Sequence, residues 1–261
     1  MSAIFLEEGI VHYEVLGRSR PVLFLHSWIG SWRYWIPAMQ SAALSFRAYA
    51  LDLFGFGDTV KSNHYSLMDQ TRLVDEFVQK MGIGRIALVG HGLGAVTAAL
   101  YALQKPEVVD RVMLIGMPLE ENMLTNRLRN NTPLELAESM LGRSPQMEPV
   151  TTDAAKCDPQ AVGAALKDFP HWLNAQTWSQ FHTPCLLVNA QADPLVQPPT
   201  AEQLALWPRR PGWQPFETTS HFPMLDDSSR FNRLLNDFLQ LPSGEAPATL
   251  QLKEEWKRRV R

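Results

Sequence analysis

The sequence predicts an α/β protein, a mainly parallel sheet with helices on both faces, and three observations predict it. First, the short apolar run Ile86-Ala87-Leu88-Val89 passes through Gly90, Gly92 and Gly94 into Ala- and Leu-rich sequence, which reads as a strand, a very tight turn and a buried helix. Second, short apolar runs at 21–25, 46–51, 111–115 and 185–190 have the length of buried strands, and helical patterns lie among them. Third, residues 117–181 change texture to polar, helix-prone pieces broken by Pro133, Pro145, Pro149, Pro159 and Pro170, which marks an insertion into the main domain.

Taken in order, residues 3–6 and 10–16 flank Glu7-Glu8-Gly9 and predict a hairpin. The strand at 21–25 ends in His26-Ser27-Trp28-Ile29-Gly30, and a helix begins in Ser31-Trp32-Arg33-Tyr34-Trp35. The strand at 46–51 closes on Asp52-Leu53-Phe54-Gly55-Phe56-Gly57-Asp58, a loop whose glycines permit turns that other residues resist. From Ser66 to Met81, the apolar residues Leu67, Leu73, Val74, Phe77, Val78 and Met81 are spaced for one helical face, and Gly82 ends the helix. In the inserted segment, 134–141 and 159–166 read as helices, with Trp172 and Trp178 near the return to the core, where they either pack the helices onto it or line an apolar pocket. Asp193 follows the strand at 185–190, His221 follows a short strand around Phe216, and Asp227-Ser228 caps a helix through Leu239. Residues 241–261 are expected to form a tail: a linker followed by a basic helix, solvated or docked on the surface, over 253–261.

Composition narrows the class of function. With 261 residues and 45% hydrophobic content, one large domain with an insertion is expected. A formal charge of −3, from 24 basic and 27 acidic residues, supplies no field to attract nucleic acid or an anionic membrane, so the expected partner is a small molecule. No run reaches about 18 apolar residues, and the first residues lack the pattern of a signal peptide. Cys157 and Cys185 do not suggest a disulfide framework, which fits a cytoplasmic protein, monomeric or homodimeric. The seven histidines show no spacing suited to a metal site, and no cofactor is expected.

Gly90-His91-Gly92-Leu93-Gly94 resembles the G-x-S-x-G nucleophile elbow of the α/β-hydrolase family, and the resemblance runs over nearly the whole chain. It implies an eight-stranded, mainly parallel sheet formed by residues 1–116 and 182–240, with 117–181 as a helical cap over the site. It also implies catalytic roles for Asp193 and His221, which occur in the family's order of elbow, acid and histidine. The Leu93 and Trp28 N–H groups take the place of an oxyanion hole, with Ser27 where relatives usually carry glycine. Trp28, His91, Leu195 and Phe222 are the implied walls of an apolar pocket.

The chain departs from that pattern at the reacting atom, because Gly92 stands where the family carries its nucleophile. Three readings are open. The protein is an enzyme in which His221 activates a water in the vacated space or takes a proton from the substrate, acting on a small, fairly apolar ester, lactone or similar molecule. Alternatively it is an inactive relative that binds a ligand, or a Ser enzyme whose nucleophile was replaced. Ser27 is a candidate replacement nucleophile. His26 is expected to hydrogen-bond backbone beneath the site, and His91 to pack beside the elbow.

Overall fold

The computed structural model describes residues 2–140, 147–247 and 250. Eight strands form one sheet: β1 Ser2–Leu6, β2 Gly9–Gly17, β3 Arg20–Leu25, β4 Phe46–Leu51, β5 Ile86–His91, β6 Val109–Ile115, β7 Cys185–Ala190 and β8 Gly212–Phe216. Their order across the sheet is β1-β2-β4-β3-β5-β6-β7-β8. The hairpin β1–β2 joins the sheet antiparallel to β4, and every later pairing is parallel. Central strands buried on both faces can therefore be almost wholly apolar, as β3 and β5 are. Parallel strands also gather the residues that follow their carboxyl ends on one edge, where ligands of open α/β sheets bind. Ser27, Gly92, Asp193 and His221 all follow such ends.

Helices α1 Ile36–Ala42, α2 Leu67–Lys80 and α3 Leu93–Gln104 lie in the first half of the chain. A short 3-10 turn, Trp32–Trp35, precedes α1. At the start of α2 the Ser66 and Asp69 side chains each satisfy the other's backbone N–H, which fixes where that helix begins. Leu93 to Ala102 of α3 are buried on every side, so this helix fills the centre of the molecule rather than covering its surface.

Between β6 and β7 the chain forms α4 Asn126–Asn130, α5 Pro133–Met140, α6 Glu148–Ala154, α7 Pro159–Trp172 and α8 Ala175–Trp178. The helix expected over 159–166 runs on to Trp172. Pro170 interrupts only its last turn, where few hydrogen bonds remain to be lost. Trp178 packs inward as expected: its ring stacks on Trp207 and its indole N–H donates to the Leu119 carbonyl at 2.6 Å. After β7 come α9 Ala201–Ala205, α10 Pro223–Asp226 and α11 Ser228–Gln240, the last capped by Asp227. Arg111 ties the end of α11 and the residues just after it to the sheet by donating to the Phe238 and Pro242 carbonyls at 2.9 Å. The expected basic helix at the end of the tail lies outside the described residues, as does residue 141.

One buried carboxylate fastens the inserted helices to the core. Asp153 of α6 is wholly buried and accepts hydrogen bonds from the Ser31 hydroxyl and, at 2.8 and 2.9 Å, from Arg33. Lys156 lies 3.1 Å away. Burial alone would raise the carboxyl pKa, but these donors outweigh it and hold the group below its ordinary value. The stabilisation is therefore complete above the unfolded carboxylate value of about 3.9 and fades as the pH falls through the lower folded value. Asp153→Asn is expected to cost about 2–3 kcal/mol near neutral pH, since charged hydrogen bonds are lost. Denaturant titrations of both proteins near pH 7 and below pH 4 should show the gap closing on acidification; a gap independent of pH would refute this account.

Candidate active site

The turn from β5 into α3 is built from its glycines. Gly92 adopts φ 52°, ψ −113°, and its N–H donates to the Ile115 carbonyl at 2.9 Å. A Cβ at Gly90 would overlap the Gly94 backbone, and one at Gly94 would overlap the carbonyls of Leu25 and His26 in the neighbouring strand. These are the collisions that the glycine spacing predicts. The Leu93 N–H at the head of α3 has no acceptor among the described residues, in keeping with the free donors of a helix start.

His221 stands over this turn. Its Nδ1 lies 3.0 and 2.9 Å from the two oxygens of Asp193, whose Oδ1 also accepts from the Leu195 and Val196 N–H groups at 2.8 and 3.2 Å. The carboxylate is thus aimed by its own loop, and it favours the tautomer with the proton on Nδ1. That leaves Nε2 as an acceptor, and the hydroxyl facing it is Ser27 Oγ at 3.0 Å.

Ser27 is held on both sides. Its N–H donates to the Tyr34 hydroxyl at 2.7 Å, and its carbonyl accepts from His26 Nδ1 at 2.8 Å. Because the Leu53 N–H donates to His26 Nε2 at 2.9 Å, the single proton of a neutral imidazole must sit on Nδ1, the nitrogen that faces the Ser27 carbonyl. Burial lowers the His26 pKa and so favours that neutral form. His26 therefore bonds backbone beneath the site, as its sequence context suggests. Tyr34, which the sequence reading did not single out, also lies 3.0 Å from His91 Nδ1, and burial raises its pKa well above the ordinary value. It stays a neutral hydroxyl, accepting from Ser27 and donating to His91.

The expected vacancy at the elbow apex is not there. A Cβ built on Gly92 would overlap Ser27 Oγ and come within 2.8 and 2.9 Å of two ring carbons of Trp28. The space that a nucleophile on the elbow would use is taken by a serine hydroxyl from the preceding loop and by the Trp28 indole. A water there in place of an elbow side chain is accordingly ruled out by volume.

The expected apolar pocket around Trp28, His91, Leu195 and Phe222 is likewise filled. All four residues are completely buried. The Trp28 ring stacks on His221 at 6.0 Å between centroids and meets Phe169 of α7 edge-on at 6.3 Å. His91 packs beside the elbow with its ring centroid 4.4 Å from that of His221, and burial together with that neighbour pushes its pKa well below the ordinary value. Phe222 closes the other side, edge-on to Tyr34, His91 and His221. Trp28 offers its backbone N–H on the same loop, with no acceptor among the described residues.

Away from this edge, His12, Asp52 and Asp58 bring three potential ligand atoms within 4.8 Å of one another. They are already engaged. Asp52 accepts from the Trp32 and Asp58 N–H groups and pairs with His12, while Asp58 pairs with Arg33 and Lys156. The cluster is the scaffold of the glycine loop at 52–58. Cys157 and Cys185 are free and buried, and burial pushes the Cys157 thiol up to about 12. No helix among the described residues is long and apolar enough to cross a membrane.

A tight strand-turn-helix elbow, with an acid after β7 and a histidine after β8 on one eight-stranded sheet, is the arrangement of the α/β-hydrolase fold, and the chain has that fold. A family model described as alpha/beta hydrolase fold matches residues 20–140. The chain is similar to an enol-lactonase structure from Burkholderia xenovorans LB400, with a TM-score of 0.79, 16% identity, and 92% of this chain and 100% of that one covered. It is 23% identical to a protein of Yersinia enterocolitica named for carbamate hydrolysis, RutD, over 94% of this chain and 97% of that protein. It is also 29% identical to a soluble epoxide hydrolase of a Corynebacterium species, over 41% of this chain; the matched stretch spans only 38% of that enzyme's length.

Proposed function

We propose that the protein hydrolyses a small, fairly apolar carbonyl compound, an ester, lactone or similar molecule, with the Asp193–His221 pair moving the protons. The observation that carries this reading is the orientation of His221. Asp193 holds one ring nitrogen and leaves the other facing a hydroxyl beside two unpaired N–H groups. An imidazole fixed in this way can accept a proton as a bond to carbonyl carbon forms and return it to the leaving group. The Leu93 and Trp28 N–H groups supply donors for the oxyanion that develops. The helices at 117–181 serve as a cap, with Phe169 lying against Trp28. The carbamate-hydrolase and enol-lactonase names of similar proteins support carbonyl chemistry on this scaffold.

A second reading has its own observation. Trp28 fills the space in front of His221, as it would in a relative that has given up catalysis for a closed, well-packed core. A panel of short-chain esters, lactones and amides separates the two. The chain should turn over at least one class, and His221→Gln should lower the rate by about 10²–10⁴-fold, the contribution typical of general acid–base catalysis. No turnover on the panel, or turnover indifferent to His221→Gln, would favour the inactive relative.

A further inference from the structure

We infer that Ser27 is the nucleophile, supplied from the loop after β3 in place of the elbow. This rests on the hydrolase reading above and deepens it. Three observations carry it. Ser27 Oγ is 3.0 Å from His221 Nε2, completing an unbroken chain of hydrogen bonds through His221 to Asp193. The hydroxyl occupies the volume in which an elbow side chain would begin, since a Cβ on Gly92 would overlap it. The backbone of Ser27 is also clamped on both sides by Tyr34 and His26, so the residue that carries the hydroxyl is fixed in place while the bond to His221 orients the hydroxyl itself.

The two departures of this sequence from its relatives' pattern thereby become one. Serine at 27 and glycine at 92 exchange the residue types of two neighbouring strand ends, whose register pairs Leu25 with Gly90. A serine at 27 needs the absence of a side chain at 92, and glycine at 92 supplies it. The two N–H donors keep their places while exchanging roles. Trp28 N–H now belongs to the residue after the nucleophile, and Leu93 N–H reaches the oxyanion from the facing turn. A scar left by removing a nucleophile from the elbow would not account for the matching change on the adjacent strand.

The chemistry follows from this placement. Ser27 Oγ attacks the carbonyl carbon of the substrate while its proton passes to His221 Nε2, and the carbonyl electron pair moves onto oxygen to give a tetrahedral oxyanion. When that intermediate collapses, the bond to the leaving oxygen breaks and His221 returns the proton to it, releasing an alcohol and leaving an acyl ester on Ser27. Water then attacks the acyl carbon, giving its proton to His221; the bond to Oγ breaks, Oγ recovers the proton, and the carboxylic acid leaves. His26 and Tyr34 are positioning residues, because they touch only the backbone of Ser27.

The test uses diisopropyl fluorophosphate, intact-mass measurement and peptide mapping on the full chain, on Ser27→Ala and on Trp28→Ala, which widens access to His221. Ser27→Ala removes one oxygen and leaves the β-carbon in place, so the fold should be retained, with its thermal midpoint lowered only by the loss of one buried hydrogen bond to His221. A single diisopropylphosphoryl adduct on the peptide bearing Ser27, absent from Ser27→Ala and faster in Trp28→Ala, is the expected result, together with at least a 10³-fold loss of ester turnover in Ser27→Ala. Ester turnover that persists in Ser27→Ala but falls in His221→Gln would overturn the nucleophile assignment while leaving the hydrolase reading standing. Absence of an adduct from both the parent and Trp28→Ala would also overturn it. Turnover insensitive to His221→Gln would remove the hydrolase reading itself.

Discussion

Trp28→Ala is expected to lower stability by about 3–5 kcal/mol, the range for deleting a large, fully buried aromatic side chain. The indole touches His221 on one face and Phe169 of α7 at its edge, and it is wholly inaccessible. Its N–H has no hydrogen-bond partner among the described residues, so no hydrogen bond is lost with the ring and the cost is one of packing. A denaturant titration measures the cost, and a loss below about 1 kcal/mol would mean that the ring is not packed as described. The same substitution empties the space in front of His221. Under the hydrolase reading, turnover of short esters should therefore rise even as the fold weakens, because the backbone N–H of residue 28 is retained. In a relative that only uses Trp28 as packing, stability falls and no activity appears. The two readouts together thus decide whether the indole is a wall that moves aside or a plug.

How far the sequence discloses this site depends on which physical signal each residue leaves. The central strands and α3 are legible because burial on all sides forces continuous apolar runs, and the elbow is legible because only glycine tolerates the contacts at 90 and 94. Asp193 and His221 are legible from their order after β7 and β8. The contact between Ser27 and Gly92 is not, since it depends on the direction of one side chain across two adjacent strands. Residue type alone shows two separate oddities. The closure of the pocket is hidden for a similar reason: Trp28 reads equally well as lining or as filling, and only the position of α7 decides. Asp153 leaves no periodic or motif signal at all. It sits in α6 among polar residues, and its burial becomes evident only once Ser31 and Arg33 are brought against it.

The steric link between positions 27 and 92 predicts that they cannot be changed independently. Restoring a serine to the elbow, which from the sequence alone would supply a missing part, should instead be destabilising. In Gly92→Ser the new Cβ overlaps Ser27 Oγ and presses on the Trp28 ring, and overpacking of this kind costs about 1–3 kcal/mol. The left-handed φ of 52° adds on the order of 1–2 kcal/mol for a residue with a side chain. Only the steric part is shared with position 27. Combining Gly92→Ser with Ser27→Gly should therefore return the Ser27 share of that overpacking, and not the share owed to the Trp28 ring, so that the double variant is less destabilised than the sum of the single changes, which a double-mutant cycle of denaturant titrations reads directly. The backbone cost at 92 remains, because the double variant retains that conformation. Chemistry should follow the hydroxyl: Gly92→Ser alone gains no ester hydrolysis, whereas the double variant is trapped by a phosphonate at position 92 and no longer at 27. Additive stabilities across the cycle would show that the two residues do not compete for one space, and the exchange of serine for glycine between the two strand ends would then have no steric basis.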